Sequence, residues 1–268
     1  MSTRIPYKKI NQFSVLLVIA CLACVQAWSL LVYVDDQRFL ESLMNTLARP
    51  TLSSSEQVMA SLEFFRKLPV VNNDHQYFLL PIFGFLRPTP RQIVEGGGDC
   101  ADRSRLLINL LHIRGIEASK WALYSENLIP EHAVVEVMME KGKMVVDPLF
   151  GLVFPDGQGG YHNIHDLRSN SNILRSRLNQ LQLTGVEFGA VAIEKYPLDR
   201  YIYQYARTIN WDKNSMMKML YVGFSLVFGN KVNEIPRPYI VEQPALMIFW
   251  GMMCVQMVFI LLWLVVRR

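Results

Sequence analysis

One cysteine in the middle of the chain has surroundings that suit sulfur chemistry. Cys100 follows the run Gly96-Gly97-Gly98-Asp99, and the residues after it, 101–113, carry leucines at helical spacing before Gly115 ends the pattern. The cysteine is therefore predicted to begin a helix, where free amide N–H groups and the positive end of the helix dipole favour a thiolate over a thiol. The glycines leave room for the backbone of a substrate.

Charged residues beside Cys100 have opposing effects on the formation of a thiolate. Asp99 and Asp102 disfavour a thiolate, whereas Arg103 and Arg105 partly offset them. Taken alone, a glycine loop followed by a buried cysteine would indicate an ordinary structural segment, so the interpretation depends on what else accompanies this cysteine.

A second pattern downstream contains a histidine and an aspartate. His132 opens an alternating apolar segment, a turn is predicted at Lys141-Gly142, and residues 143–148 form the returning strand of a hairpin. His132 and Asp147 therefore lie near the same end of the hairpin and on one face. With that turn they are four residues, ~13 Å, out of register, so a bulge or strong coiling of the strands is needed to join them.

Four short segments between residues 90 and 155 occur in an order that is typical of one enzyme superfamily. They are Gly97-Gly98-Asp99-Cys100 before a leucine-rich helix, Arg114 to Ala118, His132-Ala133 with Val135-Glu136-Val137, and Val146-Asp147-Pro148. In this order and spacing they resemble the transglutaminase-like superfamily. The resemblance implies an α+β, papain-like core in which a cysteine-bearing helix packs on an antiparallel sheet.

The same resemblance implies a role for each of three side chains. Cys100 would be the nucleophile, His132 its general base and acid, and Asp147 the group that orients the imidazole. The thiolate would attack a carboxamide or peptide carbonyl and form a thioester. The oxyanion would be held by the backbone N–H groups of Cys100 and Ala101, with Gln92 as a side-chain candidate.

Several alternatives stay open at this point. Val134 stands where the family usually has Trp, which leaves the triad intact and puts the shape of the acyl-binding groove in question. The thioester could pass to water or to an amine, and we favour hydrolysis because water is always present. A catalytically idle domain that binds or assembles components of a cell-envelope or exopolysaccharide system is the alternative function.

No cofactor or metal is expected. His162, His165 and Asp166 form a weak metal-like cluster, which we interpret as a loop and a helix cap because no second cysteine accompanies it. The glycine run lacks the spacing and the lysine of a phosphate-binding loop.

Of the 268 residues of this chain, 51% are hydrophobic and only 19% are charged. The most apolar segments lie near its two ends. Residues 13–34 and 245–266 contain no Asp, Glu, Lys or Arg. As helices, each would extend ~33 Å, enough for a hydrocarbon core of ~30 Å. We therefore predict two transmembrane helices that flank a domain formed by residues 35–244.

The flanking charges predict the orientation. The cations Arg4, Lys8 and Lys9 precede the first span and Arg267 and Arg268 follow the second. The positive-inside rule then places residues 1–12 and 267–268 in the cytoplasm and the domain in the periplasm, outside an inner membrane. Without these cations the chain has 22 Lys and Arg against 23 Asp and Glu, a balance that argues against a nucleic-acid partner.

The first span has two further interpretations. Val18-Ile19-Ala20-Cys21 is similar to a bacterial lipobox, and Ala23 and Ala27 would permit cleavage of a signal peptide. The apolar stretch continues to Val34, which favours an uncleaved anchor. Expected partners are a protein or peptide substrate of the cell envelope and the lipid bilayer, and membrane partner proteins remain an open alternative.

Local patterns predict the remaining elements. They are a capped helix over 55–67, irregular chain over 70–90, a strand over 117–125, a helix over 164–183, strand-like alternation of Tyr201, Tyr203 and Tyr205, and an apolar segment over 216–229. The last segment is too short to span a bilayer, so it either packs on the domain or lies in the membrane interface.

Overall fold

The computed structural model has an α+β fold with a small antiparallel sheet and two long apolar helices near the ends of the chain. It describes residues 12–71, 77–79, 86–184, 189–196, 202–212 and 215–267. Several residues considered above lie outside these ranges, namely Arg4, Lys8, Lys9, Tyr201 and Arg268, as does part of the segment 70–90.

Eight helices and four strands follow one another along the described residues. The helices are α1 (Gln12–Leu47), α2 (Ser54–Phe65), α3 (Pro90–Gly96), α4 (Cys100–Ile113), α5 (Ile164–Ser169), α6 (Ser171–Thr184), α7 (Ser215–Phe228) and α8 (Pro244–Arg267). The strands are β1 (Ala118–Tyr124), β2 (Pro130–Met139), β3 (Gly142–Asp147) and β4 (Leu152–Val153). Short 3-10 turns cover Ile193–Lys195, Gly229–Glu234 and Tyr239–Glu242.

The sheet has the strand order β1-β2-β3-β4, with each neighbouring pair antiparallel. Both of its faces are buried, which explains why β2 is apolar at successive positions. Val135 and Val137 face a core formed with α1, α2 and α4, whereas Val134 faces a second core formed with α5, α6 and residues near Tyr196. The prediction of a helix on an antiparallel sheet is confirmed at this level.

Helix α1 extends well beyond the predicted anchor. It continues without interruption from Gln12 to Leu47, and its last turns bury Leu40 and Met44 completely in the core beneath α4. The predicted boundary between anchor and domain at residue 35 therefore does not interrupt the helix. One rigid element leads from the apolar segment into the domain.

Two helices are long and apolar enough to cross a membrane, by length and composition. These segments are Ser14–Leu47 and Pro244–Leu264, and α1 packs along α8. A hydrogen bond of 2.7 Å between the side chains of Gln26 and Gln256 joins them. Inside a bilayer such a polar pair stabilises helix association by about 1 kcal/mol.

A buried arginine fixes the loop that precedes α4. Arg103 has no solvent exposure, and its guanidinium donates to four backbone oxygens, those of Phe65, Leu68, Pro69 and Gly98. These hydrogen bonds tie the end of α2 to the glycine loop, because the guanidinium fork satisfies several carbonyls at once. Arg103 therefore has a structural role in addition to its predicted effect on the charges near Cys100.

The capped helix, the first strand and the helix that begins at Cys100 were predicted with nearly correct bounds, and Ser53 and Glu56 form the expected capping box. Two local predictions were wrong and one helix was missed. Helix α3, which Thr89 and Gln92 cap, was missed, and residues 202–205 form turns rather than a strand. The helix predicted over 164–183 is divided into two helices at Asn170. The side-chain oxygen of Asn170 accepts a hydrogen bond from the backbone amide of Asn172, which competes with helical hydrogen bonding at this point.

The turn of the hairpin also differs from its prediction. Met139 pairs with Gly142, so the turn residues are Glu140 and Lys141 and Gly142 belongs to β3. Gly142 has φ +89°, a conformation that suits glycine directly after such a turn. This register brings His132 and Asp147 two residues closer together than the predicted one.

Substituting Gly97 should destabilise the loop through a steric clash. At φ +82°, a Cβ on this residue would meet the Pro69 backbone oxygen at 2.2 Å. Gly115 is the matched control, because it has φ +69° with open space around the Cβ position. We expect Gly115→Ala to cost about 1 kcal/mol from the backbone alone and Gly97→Ala clearly more. Thermal unfolding of the full chain in detergent measures both, and equal losses would contradict the clash.

Candidate active site

Cys100 lies where the sequence predicts it, at the first residue of α4. Asp99 is the N-cap, and its side chain accepts from the Asp102 amide at 2.9 Å. Ser104 connects this end of the helix to strand β2, because its hydroxyl lies within hydrogen-bond distance of the backbone oxygens of Cys100 and Ala133. The side chain of Cys100 is half-buried, and its sulfur is not part of a disulfide bond.

His132 and Asp147 are in direct contact. The imidazole Nε2 of His132 lies 2.6 Å from Oδ2 of Asp147, and both side chains are buried. The contact follows from the observed register, in which Val135 lies opposite Val146. Residues in diagonal positions on neighbouring strands are ~7–8 Å apart at the backbone, a distance that these two side chains can bridge.

The carboxylate of Asp147 is fixed on its other side by the backbone. Its Oδ1 accepts from the amides of Leu149 (3.0 Å) and Phe150 (3.1 Å), in the turn that leads to β4. These bonds hold the carboxylate in one orientation. Asp147 is therefore positioned to orient the imidazole, which is the role that the sequence resemblance implies.

His132 also has Cys100 as a side-chain hydrogen-bond partner. Since Asp147 occupies Nε2, the nitrogen that remains for the sulfur is Nδ1. Burial lowers the pKa of His132, but the Asp147 carboxylate and the hydrogen bond with Cys100 outweigh it and raise that pKa to about 10. The three predicted residues are thus brought together, with the imidazole between sulfur and carboxylate.

Two aromatic residues that the sequence did not single out enclose the imidazole. Phe150 and Tyr196 meet the His132 ring edge-on, with centroids 5.5 and 5.7 Å away. The Tyr196 side chain also hydrogen-bonds Asp147, and its hydroxyl lies 3.2 Å from that of Tyr203. Burial raises the pKa of Tyr196, so it stays a neutral donor to the carboxylate. Tyrosine enrichment after residue 195 was the available signal.

The acidic residues at the start of α4 pair with Arg105, one of the two arginines predicted, and with Arg87, which was not predicted. Arg87 contacts Asp99 at 2.7 Å and Asp102 at 2.9 Å, and Arg105 contacts Asp102 at 3.2 Å. Of the two arginines proposed to offset these charges, Arg105 does so by direct pairing, whereas the Arg103 guanidinium is used to hold backbone carbonyls. Nothing in the local sequence pattern indicated Arg87.

The oxyanion candidates have different surroundings. The side-chain Oδ1 of Asp99 accepts from the Asp102 amide, and its backbone oxygen accepts from the Arg103 amide. The amides of Cys100 and Ala101 come before these two, at the positive end of the helix. Gln92 is the N3 residue of α3, and its Oε1 accepts from the Thr89 amide. Its part in binding an oxyanion stays a prediction.

Among the described residues, no group of three or more His, Cys, Asp or Glu side chains is placed to hold a metal ion. Asp166 instead completes a capping box with Asn163 at the start of α5, in line with the interpretation of that segment as a helix cap. His162 lies 3.7 Å from Asp166, and His165 lies 4.0 Å from Glu234.

Comparison with known proteins gives no family assignment. No protein-family model matches the chain, and no curated protein or solved structure is significantly similar to it. The geometry of the site itself is therefore the basis for a functional proposal.

The raised pKa of His132 predicts a pH-dependent contribution to stability. The ordinary histidine pKa is about 6.5, so this contribution is complete below that pH and is lost as the pH rises through about 10. We expect the difference in thermal midpoint between the wild-type chain and His132→Gln to shrink between pH 7 and pH 10. Thermal unfolding of both proteins across this range tests it, and a constant difference would contradict the assignment.

Proposed function

We propose that the protein is a membrane-anchored cysteine enzyme of transglutaminase-like type that cleaves or transfers an amide acyl group. One observation carries the proposal: the His132 ring lies between the Asp147 carboxylate and the Cys100 thiol at the start of a helix. A nucleophile, a base and a group that orients the base are the parts that acyl transfer through sulfur requires.

The proposed reaction begins with a proton on the Nδ1 side of His132 and a thiolate on Cys100. The thiolate attacks the carbonyl carbon of an amide, and the carbonyl oxygen becomes an oxyanion that would accept hydrogen bonds from the backbone N–H groups of Cys100 and Ala101. When the C–N bond breaks, His132 gives its proton to the leaving amine. The product at this stage is a thioester on Cys100 and a free amine.

The second half of the reaction returns the enzyme to its starting state. Water or an amine attacks the thioester, and His132 accepts the proton that the attacking group loses. The C–S bond then breaks, which regenerates the thiolate and the protonated imidazole. Because water needs no binding site of its own, we favour hydrolysis, so that the enzyme is a protease or amidase rather than a transamidase.

The location follows from the two apolar helices. With α1 and α8 in an inner membrane and both termini in the cytoplasm, the domain would face the periplasm, where envelope proteins and peptides are the available substrates. The idle-domain alternative predicts an unreactive thiol, which makes thiol reactivity the first experiment.

Cys100 should react unusually fast with iodoacetamide. The adjacent imidazole should make the sulfur a better nucleophile, so at pH 7 we expect a rate at least about tenfold above that of a cysteine model peptide. His132→Ala should remove most of this excess. Peptide mass spectrometry follows Cys100 separately from Cys21, Cys24 and Cys254.

The matched control is His112→Ala. His112 is in the last turn of the same helix, ~18 Å along the axis from Cys100, and its ring stacks on Tyr239 at 3.8 Å. This variant should leave the rate unchanged. Equal rates for the wild-type chain, His132→Ala and the model thiol would support the idle domain instead.

The side of the membrane can be tested with the same thiol. A membrane-impermeant maleimide applied to intact spheroplasts of an expressing bacterium should modify Cys100, and Cys100→Ser should lose that modified peptide. The cysteines in α1 and α8 serve as internal references because lipid would shield them. Labelling of Cys100 that requires lysis would place the domain in the cytoplasm and overturn the proposed topology.

A further inference from the structure

Helix α7 presents more apolar surface than any role within the domain explains. None of its residues, all of which the structure describes, is buried. Large side chains are exposed along its whole length, with Leu226 at 84%, Val227 at 76% and Met219 at 70% exposure. A helix that is apolar and uncovered indicates an apolar environment outside the protein.

The exposed surface is one continuous face. At 100° per residue, the side chains of Met216, Met219, Leu220, Leu226 and Val227 point to the same side of the helix. The opposite stripe contains Met217, Tyr221 and Ser225, and these are the half-buried positions that face the domain. Ser225 lies on the domain side, Lys218 at its border and Ser215 at the edge of the outward face, which therefore carries no charge.

Aromatic side chains connect α7 to the domain. Trp211 is buried, and its ring contacts those of Tyr221 and Phe224 with centroids 5.8 and 6.0 Å apart. These contacts fix α7 in one orientation, so its apolar face is a property of the folded domain. Leu128, which is also exposed, lines a cavity with Tyr221 and Val222 of α7.

The segment that leads to α7 and the turn that leads to α8 attach to neighbouring positions of β1. Ala122 of β1 pairs with Arg207, in the segment that leads to α7. Lys120, two residues earlier on the same strand, contacts Glu242 at 3.3 Å, two residues before α8 begins. These two attachments are separated by about 7 Å of strand.

We propose that α7 lies in the bilayer interface and contacts phospholipid with the face formed by Met216, Met219, Leu220, Leu226 and Val227. The occupant we infer is lipid, because the segment that leads to α7 and the turn that leads to α8 attach to neighbouring positions of the same strand. With 14 residues, α7 extends ~21 Å, which is too short to cross a hydrocarbon core of ~30 Å. The helix therefore lies along the membrane surface, and the domain rests on the bilayer through α7 as well as through α1 and α8.

A photo-crosslinking experiment on the full-length chain tests this contact. The crosslinking residue p-benzoylphenylalanine is placed at Leu226 in one protein and at Leu183 in a second. Leu183 is the matched control, because it is 88% exposed on α6, where the other exposed residues are polar. Both proteins are reconstituted in vesicles of phosphatidylethanolamine and phosphatidylglycerol, irradiated, and analysed by intact and peptide mass spectrometry.

We expect phospholipid adducts at position 226 at a yield ~10-fold or more above that at position 183, as for a helix that rests in the interface. Absence of a lipid adduct at 226, equal lipid adducts at both positions, or an adduct with a second copy of the chain would each overturn the proposal. The result is independent of catalysis, because Cys100→Ser should give the same adducts.

Discussion

The pairing register of β2 and β3 is the constraint on which the candidate site depends. Val135 lies opposite Val146, so His132 and Asp147 occupy diagonal positions on one face of the sheet. A slip by one residue would turn His132 to the opposite face. Because both faces of the sheet are buried, the same slip would exchange the side chains of two separate cores. The packing that stabilises the domain therefore also keeps the imidazole beside the carboxylate.

Local elements of the site were predictable, whereas their exact alignment was not. The glycine run and the spaced leucines predicted that α4 begins at Cys100, and alternation predicted the hairpin. The register differed because Gly142 can either occupy the turn or follow it, and its φ of +89° places it after the turn. That choice depends on backbone geometry, which a single sequence does not specify.

The contacts that sequence reasoning missed join residues that are far apart in the chain. Arg87 neutralises the carboxylates at the start of α4, Arg103 holds the preceding loop, and Tyr196 meets Asp147 from beyond α6. Each is an ordinary residue in its own local context. Their importance arises only when tertiary packing removes solvent, because a buried charge or hydroxyl then needs a partner.

A chain of charged side chains connects the start of α4 with the start of α8. Asp99 and Asp102 share Arg87, Asp102 contacts Arg105, and Arg105 contacts Glu242 at 3.6 Å. Burial raises the pKa of Glu242, but the cations that surround it lower that pKa to about 2, so it stays charged. Breaking such a buried network by removing one partner leaves an uncompensated charge, which costs several kcal/mol.

The candidate site is therefore not attached to α8 through a flexible linker. The same residues that anchor the cysteine-bearing helix also hold the turn that leads into α8, and α1 enters the core beneath that helix without a break. Since both apolar helices are tied to the domain by buried contacts, the direction in which Cys100 faces is fixed relative to them. A bilayer around α1 and α8 would then determine how a substrate approaches the sulfur.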